Sequence, residues 1–205
     1  MDTAFDAELV VQSQRGDLEA FNKLAARCSD SLYRFVRRML GNPEDARDLC
    51  QEALLKAYLN VRRLRDPDKF RPWLHHIALN LCRDRHRSAR SRVKTEPFEE
   101  GQQTETRWIE AANSAARPAA PDAAMERTEL GEILGRALER LPWEQRTAIV
   151  LREYQGFTAP EIAEITGVPA ATVRTRIFYG LRALRRTMSE FGIAPDSLRP
   201  GGVRS

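Results

Sequence analysis

The residues of this chain best suited to bind a ligand lie near its carboxyl end, in the stretch 158–186, where arginines recur along one helical face. Guanidinium groups form paired hydrogen bonds with guanine edges and also contact phosphate oxygens. The pattern therefore predicts a surface that contacts duplex DNA. The predicted contact residues are Arg174, Thr175, Arg176, Phe178, Tyr179 and Arg182.

Two short helices joined by a tight turn at Gly167 would position this surface. Glycine adopts the left-handed conformation that ends a helix, and Pro169 suits the first turn of the next one. Apolar residues then recur at i, i+4, i+8 and i+11, so one face is buried: Val173, Ile177, Leu181 and Leu184. This arrangement predicts a helix-turn-helix, with Thr158 near the N-cap of its first helix. The alternative is a helical hairpin with a solvated basic face.

The composition, with 42% hydrophobic and 30% charged residues and a net charge of +4, is that of a soluble globular protein. Basic residues concentrate in the stretch 62–94, where eleven Lys or Arg accompany three acids, as a polyanion-binding surface requires. The three cysteines, Cys28, Cys50 and Cys82, are too few and too widely spaced for a disulfide framework. Neither a basic leader nor a long apolar run occurs, so we expect a cytoplasmic protein without membrane insertion.

Amphipathic helices fill the N-terminal half of the chain. Asp17 is a predicted helix cap, Gly41 ends that helix, and Asn42 with Pro43 begins another. A third helix is predicted from Phe70 onward. Beside its apolar stripe, polar residues recur at i, i+4, i+7 and i+11: His76, Asn80, Arg83 and Arg87. This polar ridge could follow a nucleic-acid backbone, although charges alone favour a solvated helix face.

Residues 95–127 lose the apolar period and are rich in acids, Ala and Pro. Such a composition predicts a flexible acidic linker, with a short helix around Trp108 as a further possibility. Helical periodicity returns at Leu130, and no stretch of the chain suggests a strand. The sequence therefore predicts an all-α fold of two small helical domains, 1–94 and 128–190, joined by the linker 95–127 and followed by a mobile tail, 191–205.

Several motifs in this order resemble one family. They are DARDLCQE at 45–52, FRPWL at 70–74 with IALN at 77–80, LP at 141–142, and GVPAATVR at 167–174. Together these segments are similar to the bacterial extracytoplasmic-function (ECF) sigma factors of the sigma-70 family. The resemblance covers both predicted domains. It implies a transcription initiation factor that binds core RNA polymerase and directs it to promoters by recognising minus 10 and minus 35 elements.

The resemblance also assigns roles to residues. The helix that docks on the clamp helices of the largest polymerase subunit corresponds to Asp45, Asp48, Gln51 and Glu52, and three of these form an acidic strip on one helical face. The part that captures the single-stranded minus 10 element corresponds to Lys69, His76, Asn80, Arg83 and Arg87. The helix-turn-helix corresponds to the reader of the duplex minus 35 element. An anti-sigma factor is a further implied partner.

One departure from the family concerns the recognition helix. Family members often continue it with an arginine-rich stretch, whereas this chain has Tyr179 and Gly180. Glycine inside a helix costs about 1 kcal/mol relative to alanine. The departure bears on which minus 35 sequence is preferred.

Two other classes of protein compete with this interpretation. A stand-alone helix-turn-helix regulator would use the same DNA surface without polymerase. A zinc site could involve His75, Cys82 and His86, but seven helical residues separate His75 from Cys82 by about 10 Å, and the missing ligands have no source. We expect Cys82 to face solvent as a thiol without a role. No nucleophile triad, carboxylate pair or nucleotide loop occurs, so we expect no cofactor, no metal and no enzyme activity.

Overall fold

The computed structural model describes residues 3–94 and 129–192, and all the regular structure in these ranges is helical. The N-terminal domain contains α1 (Thr3–Gln14), α2 (Leu18–Leu40), α3 (Pro43–Asn60) and α4 (Phe70–Lys94). The C-terminal domain contains α5 (Glu129–Glu139), α6 (Trp143–Ile149), α7 (Ala159–Thr166) and α8 (Ala170–Glu190). The all-α fold with two helical domains is confirmed.

The helix ends lie where the sequence signals place them. Asn42 accepts hydrogen bonds from the backbone N–H groups of Glu44 and Asp45, so it caps α3. Thr158 and Glu161 form a reciprocal capping box at the start of α7. Gly167 ends α7 with φ 71° and ψ 27°, in the left-handed region that favours glycine.

Two parts of the N-terminal domain differ from the prediction. Helix α1 was not predicted, and it packs on α2 with Leu9 and Val10 buried. The segment between α3 and α4 contains two 3₁₀ turns, Val61–Arg63 and Pro67–Lys69, which the sequence did not predict. These turns set the entry of α4, whose first residue, Phe70, is buried.

In the C-terminal domain, α6 continues directly into a π-helical turn, Val150–Tyr154. The chain then turns at Gly156 and enters the helix-turn-helix formed by α7 and α8. Helix α8 has 21 residues and continues to Glu190, about one turn beyond the predicted stretch 158–186. This last turn carries Met188 into a buried cluster with Ile133 and Ala137 of α5.

The two domains share one hydrophobic core, which the sequence did not predict. Buried residues of α2 and α4, such as Phe35 and Leu74, belong to the same cluster as Phe157, Ile162 and Ile165 of the C-terminal domain. Helix α7 lies along α4, and the π-helical turn packs on α2. The predicted DNA-binding elements of the two domains are therefore neighbours in this structure.

The predicted linker, the helix around Trp108 and most of the predicted tail lie outside the described residues. Phe191, where the tail was predicted to begin, is half-buried beneath the guanidinium groups of Arg136 and Arg140. Among the described helices, none is both long enough and apolar enough to cross a membrane.

Candidate nucleic-acid interface

The predicted duplex-reading residues lie on the outer face of α8. Five of them are exposed: Arg174, Thr175, Phe178, Tyr179 and Arg182. The aromatic rings of Phe178 and Tyr179 contact each other edge to face, with centroids 5.3 Å apart, and Phe178 is 62% exposed. Exposed aromatic side chains beside cations can pack on bases or on a protein partner. The outer face of α8 is thus built for a partner of opposite charge.

Arg176 differs from the other five residues because it is half-buried. Its side chain lines a cavity of about 120 Å³ together with Arg83 of α4, Trp143 of α6 and Thr166 of α7. The structure therefore brings a residue predicted for duplex reading next to one predicted for single-strand capture.

The polar ridge of α4 forms a chain of hydrogen bonds that ends on α7. His76 Nδ1 lies 2.8 Å from the Ile165 carbonyl oxygen, so this nitrogen carries the proton and donates. His76 Nε2 then accepts from Asn80 Nδ2 at 3.0 Å, and Asn80 Oδ1 accepts from Arg83 at 3.1 Å. The Ile165 carbonyl is one of the free acceptors at the end of a helix. The ridge therefore binds the C-terminal domain rather than facing only solvent.

Two of the residues predicted for the minus 10 strand remain, Lys69 and Arg87. Lys69 donates to both carboxylate oxygens of Glu164 on α7, at 2.9 and 3.0 Å. The hydrogen bond from Lys69 to Glu164 raises the pKa of this lysine. Arg87 is exposed, further along α4. Four of the five residues predicted for the minus 10 strand are thus connected to α7, directly or through a neighbour.

Two residues of the predicted acidic strip of α3, Asp48 and Glu52, are exposed, and so is the neighbouring Gln51. Asp45 differs because it forms an ion pair with Arg85 of α4. Asp45 therefore has a partner within the chain, which the acidic strip alone did not predict. Glu52 pairs with Lys56 one turn later on α3, at 2.8 Å, a pair exposed to solvent.

The structure adds apolar residues to this acidic strip. Leu55 and Leu59 are 58% and 68% exposed, and Tyr58 between them is also exposed. Since Asp48, Glu52, Leu55 and Leu59 follow at i, i+4, i+7 and i+11, they form one continuous ridge along α3. Helical spacing that follows the acids could have identified these leucines. An acidic and apolar ridge of this kind suits a protein partner with basic and apolar side chains.

A buried polar cluster joins the two domains behind the ridge. Gln155 follows the π-helical turn and lies between Ser31 of α2, at 2.5 Å, and His75 of α4, at 3.3 Å. Arg71 donates to the Gln155 carbonyl oxygen at 2.8 Å. Because His75 Nδ1 donates to the Arg71 carbonyl, its Nε2 is an acceptor, yet the Gln155 atom that faces it is Oε1, while Gln155 Nε2 is buried without a hydrogen-bond partner. Exchanging the oxygen and nitrogen of this amide would turn Nε2 towards His75 as a donor. Burial lowers the pKa of His75 to about 4, so the ring is neutral.

Two residues of the zinc alternative pack against aromatic rings. His75 is enclosed by Phe35 and Phe157, and His86 stacks on Trp143 with ring centroids 4.6 Å apart. Within the described ranges, no group of three or more His, Cys, Asp or Glu side chains could hold a metal ion.

Cys82 is buried and not solvent-facing, so that expectation is wrong. All three cysteines are free and buried. Burial raises the pKa of each thiol, to about 11 for Cys28, to about 12 for Cys50 and further for Cys82. The thiolate needed for oxidation chemistry is therefore scarce at neutral pH.

Comparisons with known proteins agree with this organisation. The family Sigma-70 region 2 matches residues 24–92, and the family Sigma-70, region 4 matches residues 131–184. The ECF RNA polymerase sigma factor SigW of Bacillus subtilis is 33% identical over 181 residues, which cover 88% of this chain and 95% of SigW. The ECF RNA polymerase sigma-E factor of Escherichia coli K12 is 34% identical over 179 residues, covering 87% and 92%.

Two solved structures share the fold. CnrH, in complex with the cytosolic domain of CnrY, aligns with a TM-score of 0.64 and 24% identity over 91% of this chain and 98% of CnrH. The sigma factor RpoE of Bartonella quintana, in complex with the anti-sigma factor NepR, aligns with a TM-score of 0.67 and 22% identity over 84% and 98%. Given the two matched regions and relatives above 30% identity along nearly all of its length, the chain belongs to the ECF sigma factors of the sigma-70 family.

Proposed function

We propose that this ECF sigma factor binds core RNA polymerase through α3 and recognises promoter DNA with α4 and α8. The observation that carries the proposal is the presence of two exposed surfaces of opposite character on one chain. The ridge of α3 is acidic and apolar, whereas the outer face of α8 carries arginines and aromatic rings. A factor that joins an enzyme to DNA needs both surfaces.

On α3, the docking residues are Asp45, Asp48, Gln51 and Glu52. The neighbouring Leu55 and Leu59 extend the contact, because burying exposed leucines contributes about 25 cal/mol per Å². Charges at the margin of such a contact steer association, while the apolar centre slows dissociation.

On α8, Arg174 and Arg182 contact the duplex minus 35 element, and Thr175, Phe178 and Tyr179 complete that surface. Arg176 joins them once it leaves the cavity that it shares with Arg83. Lys69, just before α4, and Arg83 and Arg87 on α4 neutralise the backbone of the minus 10 strand. His76 and Asn80 of α4 supply hydrogen bonds to an extruded base.

This division of labour gives the chain no chemistry of its own, and phosphodiester bond formation belongs to polymerase. The protein acts in the cytoplasm, where polymerase and promoters are. An anti-sigma factor is its inhibitory partner. The relative RpoE, which is bound to the anti-sigma factor NepR, supports this assignment.

The test is run-off transcription with bacterial core polymerase on a genomic library of promoter fragments, with core alone as the control. Discrete start sites that appear only with this protein are the expected result. Absence of transcripts, together with failure to comigrate with core, would favour a stand-alone helix-turn-helix regulator.

A second arm separates the two surfaces. Arg174→Ala and the Arg174→Ala, Arg176→Ala double variant should weaken promoter binding and leave comigration with core unchanged. Arg15→Ala, which removes the same charge from an exposed turn between α1 and α2, is the matched control. Loss of comigration in the α8 variants would contradict the division of labour.

A further inference from the structure

We propose that the cavity lined by Arg83 and Arg176 binds a hydrogen phosphate ion. This cavity has a volume of about 120 Å³ and is lined by side chains of α4, α6, α7 and α8. One water molecule needs about 10–15 Å³ of such volume, so the cavity has room for a small tetrahedral oxyanion. The binding of phosphate does not depend on the proposed function, whereas its consequence for promoter recognition rests on that function.

The first observation is a surplus of hydrogen-bond donors around the cavity. Among the residues that the structure describes, Arg176 forms no hydrogen bond and no ion pair. Arg83 donates one hydrogen bond, to Asn80 Oδ1 at 3.1 Å, although a guanidinium has five N–H groups. Trp143 Nε1 is buried, and it has no hydrogen-bond partner in the same part of the chain. Three side chains on three helices thus have donors that a phosphate could use.

The second observation concerns charge. Arg83 and Arg176 are both half-buried, and interactions between charges strengthen where water is partly excluded. Two guanidinium groups that line one cavity also repel each other. A doubly charged anion between them replaces this repulsion with two attractions. Guanidinium groups bind phosphate oxygens through paired hydrogen bonds, so their geometry suits this ion.

The third observation is an acceptor that selects among anions. Glu144 lines the same cavity and is exposed, and an ionised carboxylate accepts hydrogen bonds but donates none. Hydrogen phosphate carries a proton that it can donate to Glu144. Sulfate carries no proton at neutral pH, so it would only be repelled by this carboxylate. The cavity therefore favours phosphate over sulfate, although the two ions have the same shape.

The threonines of the cavity do not alter this balance. Thr147 donates its hydroxyl hydrogen to the Trp143 carbonyl oxygen at 2.8 Å, and Thr166 donates to the Ile162 carbonyl oxygen at 2.6 Å. Both hydroxyl hydrogens are therefore used within their own helices. The donors left for an anion are those of the two arginines and the indole.

Bound phosphate affects promoter recognition through the same arginines. Arg83 is proposed to contact the minus 10 strand and Arg176 the minus 35 duplex, and N–H groups bonded to phosphate are unavailable to DNA. Phosphate should therefore reduce transcription by more than its ionic strength explains. Ionic strength alone weakens every contact with the DNA backbone and does not distinguish phosphate from sulfate.

Binding is tested on the full-length protein by nuclear magnetic resonance, in the absence of DNA and polymerase. The probe is inorganic phosphate at constant ionic strength, with sulfate as the comparison ion. The chain has three tryptophans, and the indole N–H resonance of Trp143 is identified by its loss in Trp143→Phe. We expect this resonance to shift saturably with phosphate, and about tenfold more sulfate to be needed for the same effect. No saturable shift with phosphate would overturn the proposal.

Two arginines on α8 provide a matched pair of variants. Arg176→Ala should weaken phosphate binding about tenfold, because it removes a charged donor. Arg186→Ala removes the same charge from an exposed position of α8 and should leave the affinity unchanged. An equal loss in both variants would mean that phosphate responds to the net charge of the protein, and the proposed site would be wrong.

Glu144→Gln tests the selection between anions. It removes the charge that repels sulfate, so sulfate should bind about tenfold more tightly than to the wild type. Glu153→Gln, the same change at an exposed position after α6, is the control and should preserve the preference for phosphate. An unchanged preference in Glu144→Gln would overturn the role of this carboxylate in the proposed site.

Run-off transcription in phosphate and in sulfate at equal ionic strength separates the two proposals. With wild-type protein, phosphate should inhibit more strongly, and with Glu144→Gln the two ions should inhibit alike. If phosphate binds but inhibits no more than sulfate, the site stands and its effect on promoter recognition fails. If the indole resonance shifts but no condition yields transcripts, the site stands and the proposed function fails.

Discussion

Gly180 of α8 lies directly against Ile149 of α6. A Cβ atom placed on Gly180 would stand 2.7 Å from Ile149 Cδ1 and 3.2 Å from Gln145 Cβ, closer than carbon atoms pack. Alanine stabilises a helix by about 1 kcal/mol relative to glycine, so helix formation does not explain why position 180 is a glycine. The close approach of α8 to α6 explains it. The departure from the arginine-rich family pattern is therefore a packing feature of the C-terminal domain.

Gly180→Ala should destabilise the protein. Overpacking costs about 1–3 kcal/mol, and the gain in helix propensity offsets about 1 kcal/mol of it. The matched control is Gly135→Ala on α5, where a Cβ would meet nothing within 4 Å. That change should stabilise the protein. Urea unfolding followed by circular dichroism compares the two variants.

The clash can also be relieved from the other side. Ile149→Val deletes the Cδ1 atom that the new Cβ would meet, so it should restore stability to Gly180→Ala while lowering that of the wild type by about 1 kcal/mol. A double-mutant cycle measures the difference. If the free-energy changes of the two substitutions simply add, then α8 has shifted as a whole in Gly180→Ala, and the new Cβ does not press on Ile149 Cδ1.

The thiols should be unreactive in the native protein. All three are buried, and burial raises their pKa values, so few thiolates are available to attack a reagent. Labelling with a maleimide should be slow under native conditions and should reach three per chain only in denaturant. Rapid modification of one cysteine in the native protein would indicate local opening around that residue.

The helix ends and the helix-turn-helix could be predicted because their signals are local. Asn42 caps the helix that begins with the next residue, and Thr158 exchanges hydrogen bonds with Glu161 three residues away. Gly167 adopts a conformation that its own lack of a side chain permits. Such features depend on neighbours in sequence, so the residue types suffice to locate them.

The contacts between the domains could not be predicted in this way. Gln155 bonds to Ser31, which is 124 residues earlier, and His76 bonds to Ile165, which is 89 residues later. A polar ridge beside an apolar stripe has the same sequence pattern whether it meets water, DNA or another helix. Asp45 likewise looked unpartnered because Arg85 lies 40 residues away. Only the folded arrangement distinguishes these cases.

Substitutions on the α3 ridge should weaken binding to core polymerase. Asp48→Arg reverses an exposed charge, and Leu55→Ser removes an exposed apolar side chain, so neither should disturb the fold. Removing a central interface contact costs about 1–2 kcal/mol, so we expect each change to lower affinity about tenfold. Comigration with core and fluorescence titration measure the effect.

The control for this surface is Asp84→Arg, which makes the same charge change at an exposed position of α4. It should leave affinity for core within about twofold of the wild type, since Asp84 is not part of the α3 ridge and exposed charges outside a contact are screened at physiological salt. An equal loss for Asp84→Arg and Asp48→Arg would mean that net charge, rather than the α3 ridge, determines binding.

The stability of the protein should fall below about pH 6.5 because of His75. Burial lowers the pKa of His75 from 6.5 to about 4, and Arg71 on the same helix also disfavours the charged ring. Between these values the unfolded state binds more protons than the folded state. The contribution of neutral His75 to the free energy of unfolding is therefore complete above pH 6.5, and it is lost as the pH falls towards 4. Each unit of pKa difference corresponds to about 1.4 kcal/mol.

Replacing the imidazole with a group that does not titrate isolates this effect. His75→Gln should lower stability at pH 7, because it disturbs the contacts with Phe35 and Phe157. It should nevertheless lose less stability than the wild type between pH 7 and pH 5, since no buried ring must be protonated. Urea unfolding at pH 7 and at pH 5 gives the loss of stability for the wild type and for His75→Gln. Parallel losses in the two proteins would mean that water reaches His75 in the folded state, and hence that the interface formed by Gln155 and Phe157 opens readily.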